Sequence, residues 1–110
     1  LKPAYFDLVY VDADHKYSSA KQDIDNACIL VKDGGIICGD DLDLQIDEVP
    51  KRVDFDKVRM GEADIKEYDN VPAHLGVTLA VNDVFGHVTS DNGFWSVRIN
   101  KKGLANEKVF

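Results

Sequence analysis

The 110-residue sequence has no long hydrophobic run, few cysteines and fewer basic than acidic residues. No apolar stretch reaches the roughly 20 residues that a membrane-spanning helix needs, so a membrane is not an expected partner. The 13 Lys and Arg against 20 Asp and Glu give a formal net charge of −7, which disfavours nucleic acids and anionic membrane surfaces as partners. Cys28 and Cys38 are too few for a disulfide framework or a four-cysteine zinc site. We therefore expect reduced thiols and a cytoplasmic protein.

A strand–helix–strand pattern occupies the first 42 residues. Tyr5 to Val11 and Ile36 to Gly39 are apolar and rich in strand-forming residues, as in the buried strands of a parallel sheet. Between them, one apolar residue recurs every three or four positions, which predicts a helix that ends at the cation and glycines of 32–35. The stripe consists of Tyr17, Ala20, Ile24, Ala27, Cys28 and Val31. The fold class predicted from this unit is α/β with a parallel pair of strands.

Acidic residues follow both predicted strands. Asp12 and Asp14 come after the first strand, and Asp40 and Asp41 come after the second. Parallel neighbours end on the same edge of a sheet, where open α/β sheets bind their ligands. Four carboxylates at one edge repel one another unless a cation or hydrogen-bond donors compensate them. The alternative is that Asp12 and Asp14 cap the helix, whereas Asp40 and Asp41 shape a solvated turn.

The second half of the chain predicts a helix and a hairpin after an irregular segment. Residues 43–72 form an acidic insertion with no lasting period, apart from a short helix predicted around Pro50 to Val58. It is interpreted either as a lid over the ligand edge or as a mobile surface insertion. The apolar residues between Val77 and Phe85 recur every three or four positions, which predicts an amphipathic helix that Gly86 ends. The turn Asp91-Asn92-Gly93 between two strand-like runs predicts an antiparallel hairpin.

Three motifs in order resemble the C-terminal half of a class I S-adenosylmethionine-dependent methyltransferase. More narrowly, they are similar to the small-molecule O-methyltransferase branch called methyltransferase family 24. The resemblance covers most of the chain from Tyr5 to Ile99, apart from the insertion. The motifs are Asp12-x-Asp14-His15-x-Tyr17, then Gly34-Gly35 followed after four residues by Asp40-Asp41, then Leu75-Gly76-Val77-x-x-Ala80-Val81.

This resemblance implies a partial Rossmann-like methyltransferase sheet, with residues 1–110 as the C-terminal part of the domain. The implied activity is O-methylation of a small hydroxylated metabolite, with S-adenosylmethionine as donor and Mg²⁺ as helper. Asp12, Asp40 and Asp41 match the metal-binding positions, although Asp41 stands where metal-dependent relatives have Asn. Asp12, Asp14 and His15 would lie beside the donor pocket, and His15 is the candidate general base. His74 and His87 are interpreted as structural or exposed.

The family's glycine-rich donor loop and the acidic residue that holds the donor ribose have no counterpart in this sequence. We therefore expect the chain alone to bind the donor weakly and to be inactive outside a larger protein. The first strand should then have an unpaired edge, through which a homodimer is expected. Three alternatives remain: a metal-independent methyltransferase, a non-catalytic α/β binding or dimerisation module, and a receiver-like phosphoacceptor domain.

Overall fold

A computed structural model describes residues 5–12, 15–61, 67–68 and 71–101. The protein is α/β, with a mixed four-stranded sheet of order β1-β2-β6-β5 and three α-helices in this part of the chain. None of the described helices combines the length and the apolar character needed to cross a bilayer. The elements are β1 (Phe6–Val11), α1 (Tyr17–Leu30), β2 (Val31–Gly39), a 3₁₀ turn (Ile46–Glu48), α2 (Phe55–Met60), β3 (Glu67–Tyr68), β4 (Val71–Pro72), α3 (Leu75–Phe85), β5 (Thr89–Asp91) and β6 (Phe94–Arg98).

The predicted parallel pairing of β1 and β2 is confirmed. In the register of the two strands, Leu8 pairs with Ile36 and Val11 pairs with Gly39. β6 runs antiparallel to β2 on its other side and also pairs antiparallel with β5. The carboxyl ends of β1 and β2 therefore lie side by side at one edge of the sheet.

The predicted end of α1 is wrong. The helix ends at Leu30, and Val31 is already the first residue of β2, so residues 32–35 lie inside a strand. Gly34 does adopt the left-handed conformation, with φ of +85°, but it does so within the strand. A Cβ on Gly35 would come within 2.8 Å of the backbone oxygen of Asp7, so glycine permits the close approach of the two strands. Val31 is completely buried, and a buried apolar residue at this position fits the helical period and a strand equally well.

The main core lies between one face of the sheet and the pair of helices α1 and α3. Trp95 contributes from β6, Ile99 directly follows that strand, and Ile37 contributes from β2; each is almost fully buried. Side chains alternate across a strand, so their neighbours point away from these helices. On that side Leu8, Tyr10 and Phe94 keep 58%, 48% and 44% of their surface exposed.

The segment 43–72 contributes to a second core, which the sequence did not predict. Val49, Val53 and Val58 are buried against Leu75 and Leu79 of α3. The predicted short helix is present as α2, displaced towards the end of the predicted range. Isolated valines without a period gave no signal of this packing, because their partners lie on a helix further along the chain. The role of the segment as a lid stays a prediction.

The helix and the hairpin predicted after residue 73 are both confirmed. α3 ends at Phe85, and Gly86 has a φ of +78°, which a residue without Cβ adopts at little cost. Asn92 and Gly93 both have positive φ, as expected for the tight turn that joins β5 to β6.

Candidate functional site

Three of the four predicted acidic residues are described, and they lie at the shared end of β1 and β2. Asp12 follows β1, and Asp40 and Asp41 follow β2 directly. Asp14 lies outside the described residues. The helix α1 begins after Lys16, whose side chain makes no capping hydrogen bond. A small cleft opens between these acids and the core, lined by Val11, Asp12, Ala20, Ile24, Asp40, Asp41, Val77 and Trp95.

Asp40 accepts a hydrogen bond from the hydroxyl of Tyr10, which projects from β1 next to it. The hydrogen bond to the Asp40 carboxylate raises the pKa of Tyr10 to about 12, and the charges of Asp12 and Asp41 act in the same direction. Tyr10 is therefore a donor that compensates one carboxylate at neutral pH. It was not among the residues predicted for the site, because an alternating apolar strand gives no sign of this contact.

Asp41 occupies a strained position and contacts His15. Its φ of +69° lies in the left-handed region, which is uncommon for residues other than glycine and costs free energy. Its Oδ2 lies 2.7 Å from Nε2 of His15, a hydrogen-bond distance. The predicted base and one predicted metal ligand are thus direct neighbours.

His74, interpreted from the sequence as structural or exposed, lies at the same edge. Its ring centroid is 3.9 Å from that of His15, and its Nε2 is 4.0 Å from Oδ1 of Asp41. Only 11% of its side chain is exposed, and its Nδ1 is buried with no hydrogen-bond partner among the described residues. The backbone N–H of His74 donates to Oδ2 of Asp43 at 3.3 Å, which holds the start of α3 near the strand ends.

Contact between α3 and the segment before α1 brings the two histidines together. A Cβ on Gly76 would lie 2.3 Å from the backbone oxygen of His15 and 2.8 Å from the backbone nitrogen of Tyr17. Only glycine permits this approach without a shift of the backbone. No spacing in the sequence relates His74 to His15, so His74 was found only from the fold.

We call Tyr10, His15, Asp40, Asp41 and His74 the strand-end cluster. Within it, His15, Asp41 and His74 each place one ligand atom within 4.8 Å of the other two. The predicted metal ligands Asp12 and Asp40 lie outside that group in the described structure. Among the described residues, no Lys or Arg nitrogen lies within 4 Å of the carboxylates of Asp12, Asp40 or Asp41. The metal set Asp12, Asp40 and Asp41 and the base role of His15 stay predictions.

Residues 1–42 match a family model described as a methyltransferase domain. The matched range contains β1, α1, β2 and the acids at both strand ends, and it supports a methyltransferase domain. It does not extend to His74 or to the hairpin. No curated protein and no solved structure matches the chain.

A second polar cluster, which we call the Arg59 cluster, joins α2 to α1 and α3. The guanidinium of Arg59 donates to both carboxylate oxygens of Asp83, at 2.9 and 3.1 Å, and the Tyr17 hydroxyl donates to the same carboxylate at 2.7 Å. Burial alone would raise the pKa of Asp83, but the hydrogen bonds from Arg59 and Tyr17 outweigh it and lower that pKa. This carboxylate is fully compensated.

Proposed function

We propose that this chain is the C-terminal part of a class I S-adenosylmethionine-dependent methyltransferase domain that methylates a hydroxyl group of a small metabolite. The proposal rests on the position of His15, whose Nε2 lies at the shared end of two parallel strands and 2.7 Å from Asp41. The family match over residues 1–42 supports the methyltransferase class. The partial Rossmann-like arrangement belongs to this proposal, in which further strands continue the sheet beyond β1.

His15 acts in this proposal as the general base. Methyl transfer needs an oxygen nucleophile in line with the donor methyl group, so positioning accounts for much of the rate. The carboxylate of Asp41 holds the imidazole and stabilises the imidazolium that forms when His15 takes the substrate proton. S-adenosylmethionine, when bound, supplies the electrophilic methyl group. Asp12 and Asp14 are assigned to the donor side of the pocket.

The donor chemistry of Asp12, Asp40 and Asp41 fits a hard divalent cation such as Mg²⁺, which prefers carboxylate oxygens. No described Lys or Arg neutralises these acids, so a cation would also relieve their repulsion. Mg²⁺ in this position would anchor the hydroxyl group and lower its pKa. The metal-independent alternative is favoured by the contact of Asp40 with Tyr10, because that hydroxyl already compensates the carboxylate. Loss of methyl transfer after a chelator removes divalent cations would support the Mg²⁺-dependent enzyme, and unchanged activity would support the metal-independent one.

The residues available for the donor are incomplete in the described part of the chain. No glycine-rich loop borders the cleft there; Gly35 permits the close approach of β1 and β2, and Gly34 adopts the left-handed conformation within β2. We therefore assign the nucleoside pocket to a part of the parent domain beyond these residues. Donor binding by this chain alone should be at least tenfold weaker than binding by the complete protein.

The test compares His15→Gln with His87→Gln in the complete protein. His87 is exposed and lies away from the strand ends, so its replacement is a matched control. We expect His15→Gln to lower methyl transfer to a panel of hydroxylated acceptors by about 10²–10⁴-fold, with donor affinity changed little. Equal activity of the two variants would remove the base role. Absence of donor binding by the complete protein would overturn the methyltransferase proposal itself.

A dimerisation module is the second candidate, favoured by the exposed outer strand. β1 is the last strand of the described sheet on its side, and Leu8 and Tyr10 are about half exposed beside its free edge. Such edges pair readily with another chain. Analytical ultracentrifugation should show a dimer that Leu8→Lys dissociates; a monomer at all concentrations would exclude this candidate.

A further inference from the structure

We propose that His15, Asp41 and His74 form a site for a borderline transition-metal cation of the Zn²⁺ class. This site shares two residues with the proposed methyl-transfer site but does not depend on that function. It also differs from the predicted magnesium set, which contains only carboxylates. The two histidines are 59 residues apart in the sequence and meet because Gly76 permits α3 to approach the segment before α1.

The distances are close to those that one cation requires. Zn²⁺ lies about 2.0–2.1 Å from imidazole nitrogen and carboxylate oxygen, so two ligand atoms at a tetrahedral centre are about 3.3 Å apart. Oδ2 of Asp41 lies 2.7 Å from Nε2 of His15, and Oδ1 of the same carboxylate lies 4.0 Å from Nε2 of His74. All three ligand atoms lie within 4.8 Å of one another. The two separations from Asp41 differ from the tetrahedral value by about 0.6–0.7 Å, a difference that rotation of the side chains can remove.

The lack of hydrogen bonds to the ring of His74 is an independent observation that points to a bound ligand. A buried polar nitrogen normally has a hydrogen-bond partner, and an exception calls for an explanation such as an unseen ion or water. Nδ1 of His74 is buried with no such partner among the described residues, and its Nε2 is beyond hydrogen-bond distance of Asp41. The ring of His74 thus stacks on the ring of His15 but makes no hydrogen bond within the described residues.

The ligand types select the class of metal. Two imidazoles and one carboxylate suit Zn²⁺, Fe²⁺, Co²⁺ and Ni²⁺, whereas Mg²⁺ prefers oxygen ligands and water. The side chains of His15 and Asp41 are 26% and 42% exposed, so solvent reaches the site and can complete the coordination sphere. A three-ligand site with an open position is the arrangement of catalytic rather than structural zinc.

Occupancy of this site would exclude the base role of His15. The cation would replace the proton on Nε2 of His15 that Asp41 accepts, so the one proton of the neutral ring would lie on Nδ1, and that nitrogen could no longer accept a proton from the substrate. Zn²⁺ should therefore inhibit methyl transfer that depends on His15. The donor is not needed for the cation to bind.

The test is a calorimetric titration of this chain with Zn²⁺ and with Mg²⁺, without any methyl donor. We expect one Zn²⁺ per chain, not displaced by millimolar Mg²⁺. His74→Phe keeps the ring shape and Asp41→Asn keeps the left-handed preference, and each should weaken Zn²⁺ binding by at least about 100-fold. His87→Phe is the matched control and should bind as the wild type does. Circular dichroism checks that each variant is folded.

Nuclear magnetic resonance identifies the ligands directly, since the chain has 3 histidines. Zn²⁺ should shift the ring signals of His15 and His74 and leave those of His87 in place. Wild-type affinity in both folded variants, a shift of His87 alone, or no binding at millimolar Zn²⁺ would each overturn the site. A failure of methyl transfer leaves this titration unaffected, and a failed titration leaves the Asp12, Asp40 and Asp41 proposal standing.

Discussion

The strand-end cluster and the Arg59 cluster both contain carboxylates, but different groups compensate their negative charge. In the Arg59 cluster, one carboxylate receives three hydrogen bonds, two of them from a permanent cation. In the strand-end cluster, Asp40 and Asp41 rely on a tyrosine hydroxyl and a histidine. Full compensation is typical of a structural contact, whereas incompletely compensated acids at a strand edge are typical of a binding site.

Replacement of Gly76 by alanine should disturb both clusters and give the largest effect. The new Cβ meets the backbone of His15 and Tyr17, which belong to one cluster each, and neither backbone can rotate away. We expect a loss of about 3 kcal/mol in the free energy of unfolding, measured with urea, despite the better helix propensity of alanine. Gly61→Ala, whose Cβ would contact Val58 at 3.3 Å, is the control and should cost much less. Equal stability of the two variants would show that the close approach at Gly76 does not require glycine.

Two Asp→Asn substitutions test the comparison directly. Asp83→Asn should cost about 1–2 kcal/mol, because it removes a charged acceptor from a partly buried guanidinium. Asp41→Asn should change stability by less than about 0.5 kcal/mol, because it lowers like-charge repulsion, and Asn tolerates the left-handed backbone. Urea unfolding at neutral pH measures both. A larger loss at Asp41 than at Asp83 would reverse our assignment of structural and functional roles.

At acidic pH, the difference in the free energy of unfolding between wild type and Asp83→Asn should become smaller. The pKa of Asp83 is lowered in the folded protein, so its contribution to stability is present above the usual carboxyl pKa. That contribution is lost as the pH falls through the lowered pKa. We expect the two unfolding curves to converge as the pH is lowered through the carboxyl range. A difference that stays constant down to the lowest pH at which the protein is folded would rule out this linkage.

The titration of Tyr10 should report on the strand-end cluster alone. Its pKa is raised to about 12 because its hydroxyl donates a hydrogen bond to the Asp40 carboxylate, and Asp40→Asn should return the pKa towards the ordinary tyrosine value of 10.0. The ring signals of Tyr10 in nuclear magnetic resonance spectra measure this shift. Tyr17, whose pKa is raised by burial and by its bond to Asp83, is the internal control and should not respond. A parallel change at Tyr17 would mean that the two clusters are not independent.

The smallest effect is expected for a pair outside both clusters. Lys21 contacts Asp25 one turn further along α1 at 2.8 Å, and the Asp25 side chain is half exposed. Lys21→Met should change the free energy of unfolding by no more than about 0.5 kcal/mol. A loss comparable to that of Asp83→Asn would show that exposure is not what separates the Arg59 cluster from ordinary surface pairs.

Local patterns predicted most of the fold, because each was set by neighbouring residues. The apolar stripe of α1, the Gly86 stop and the Asn92-Gly93 turn all depend on positions a few residues apart. The end of α1 was predicted wrongly, since Val31 satisfies a buried position in a helix or in a strand. Side-chain periodicity contains no information that distinguishes the two.

The candidate site was predicted only as far as the strand order fixes it. Asp12, Asp40 and Asp41 meet because parallel strands end together, which the sequence pattern implies. His74 could not be predicted, because its contacts depend on the packing of α3 against a distant segment. Tyr10 could not be predicted, because an apolar strand gives no sign of its hydrogen bond to Asp40. Gly76 belongs to a motif in the sequence, but only the three-dimensional structure shows that α3 approaches the backbone of His15 and Tyr17 at this glycine.

The bulge in β2 separates the start of that strand from the part that pairs regularly with β1. Between the pairs Phe6–Val31 and Leu8–Ile36, β1 advances by two residues whereas β2 advances by five. The extra residues of β2 lie before the last four residue pairs, which are in regular register. A chain with one residue more or fewer inside this bulge should therefore still pair Val11 with Gly39, so the acids that follow the two strands would stay side by side.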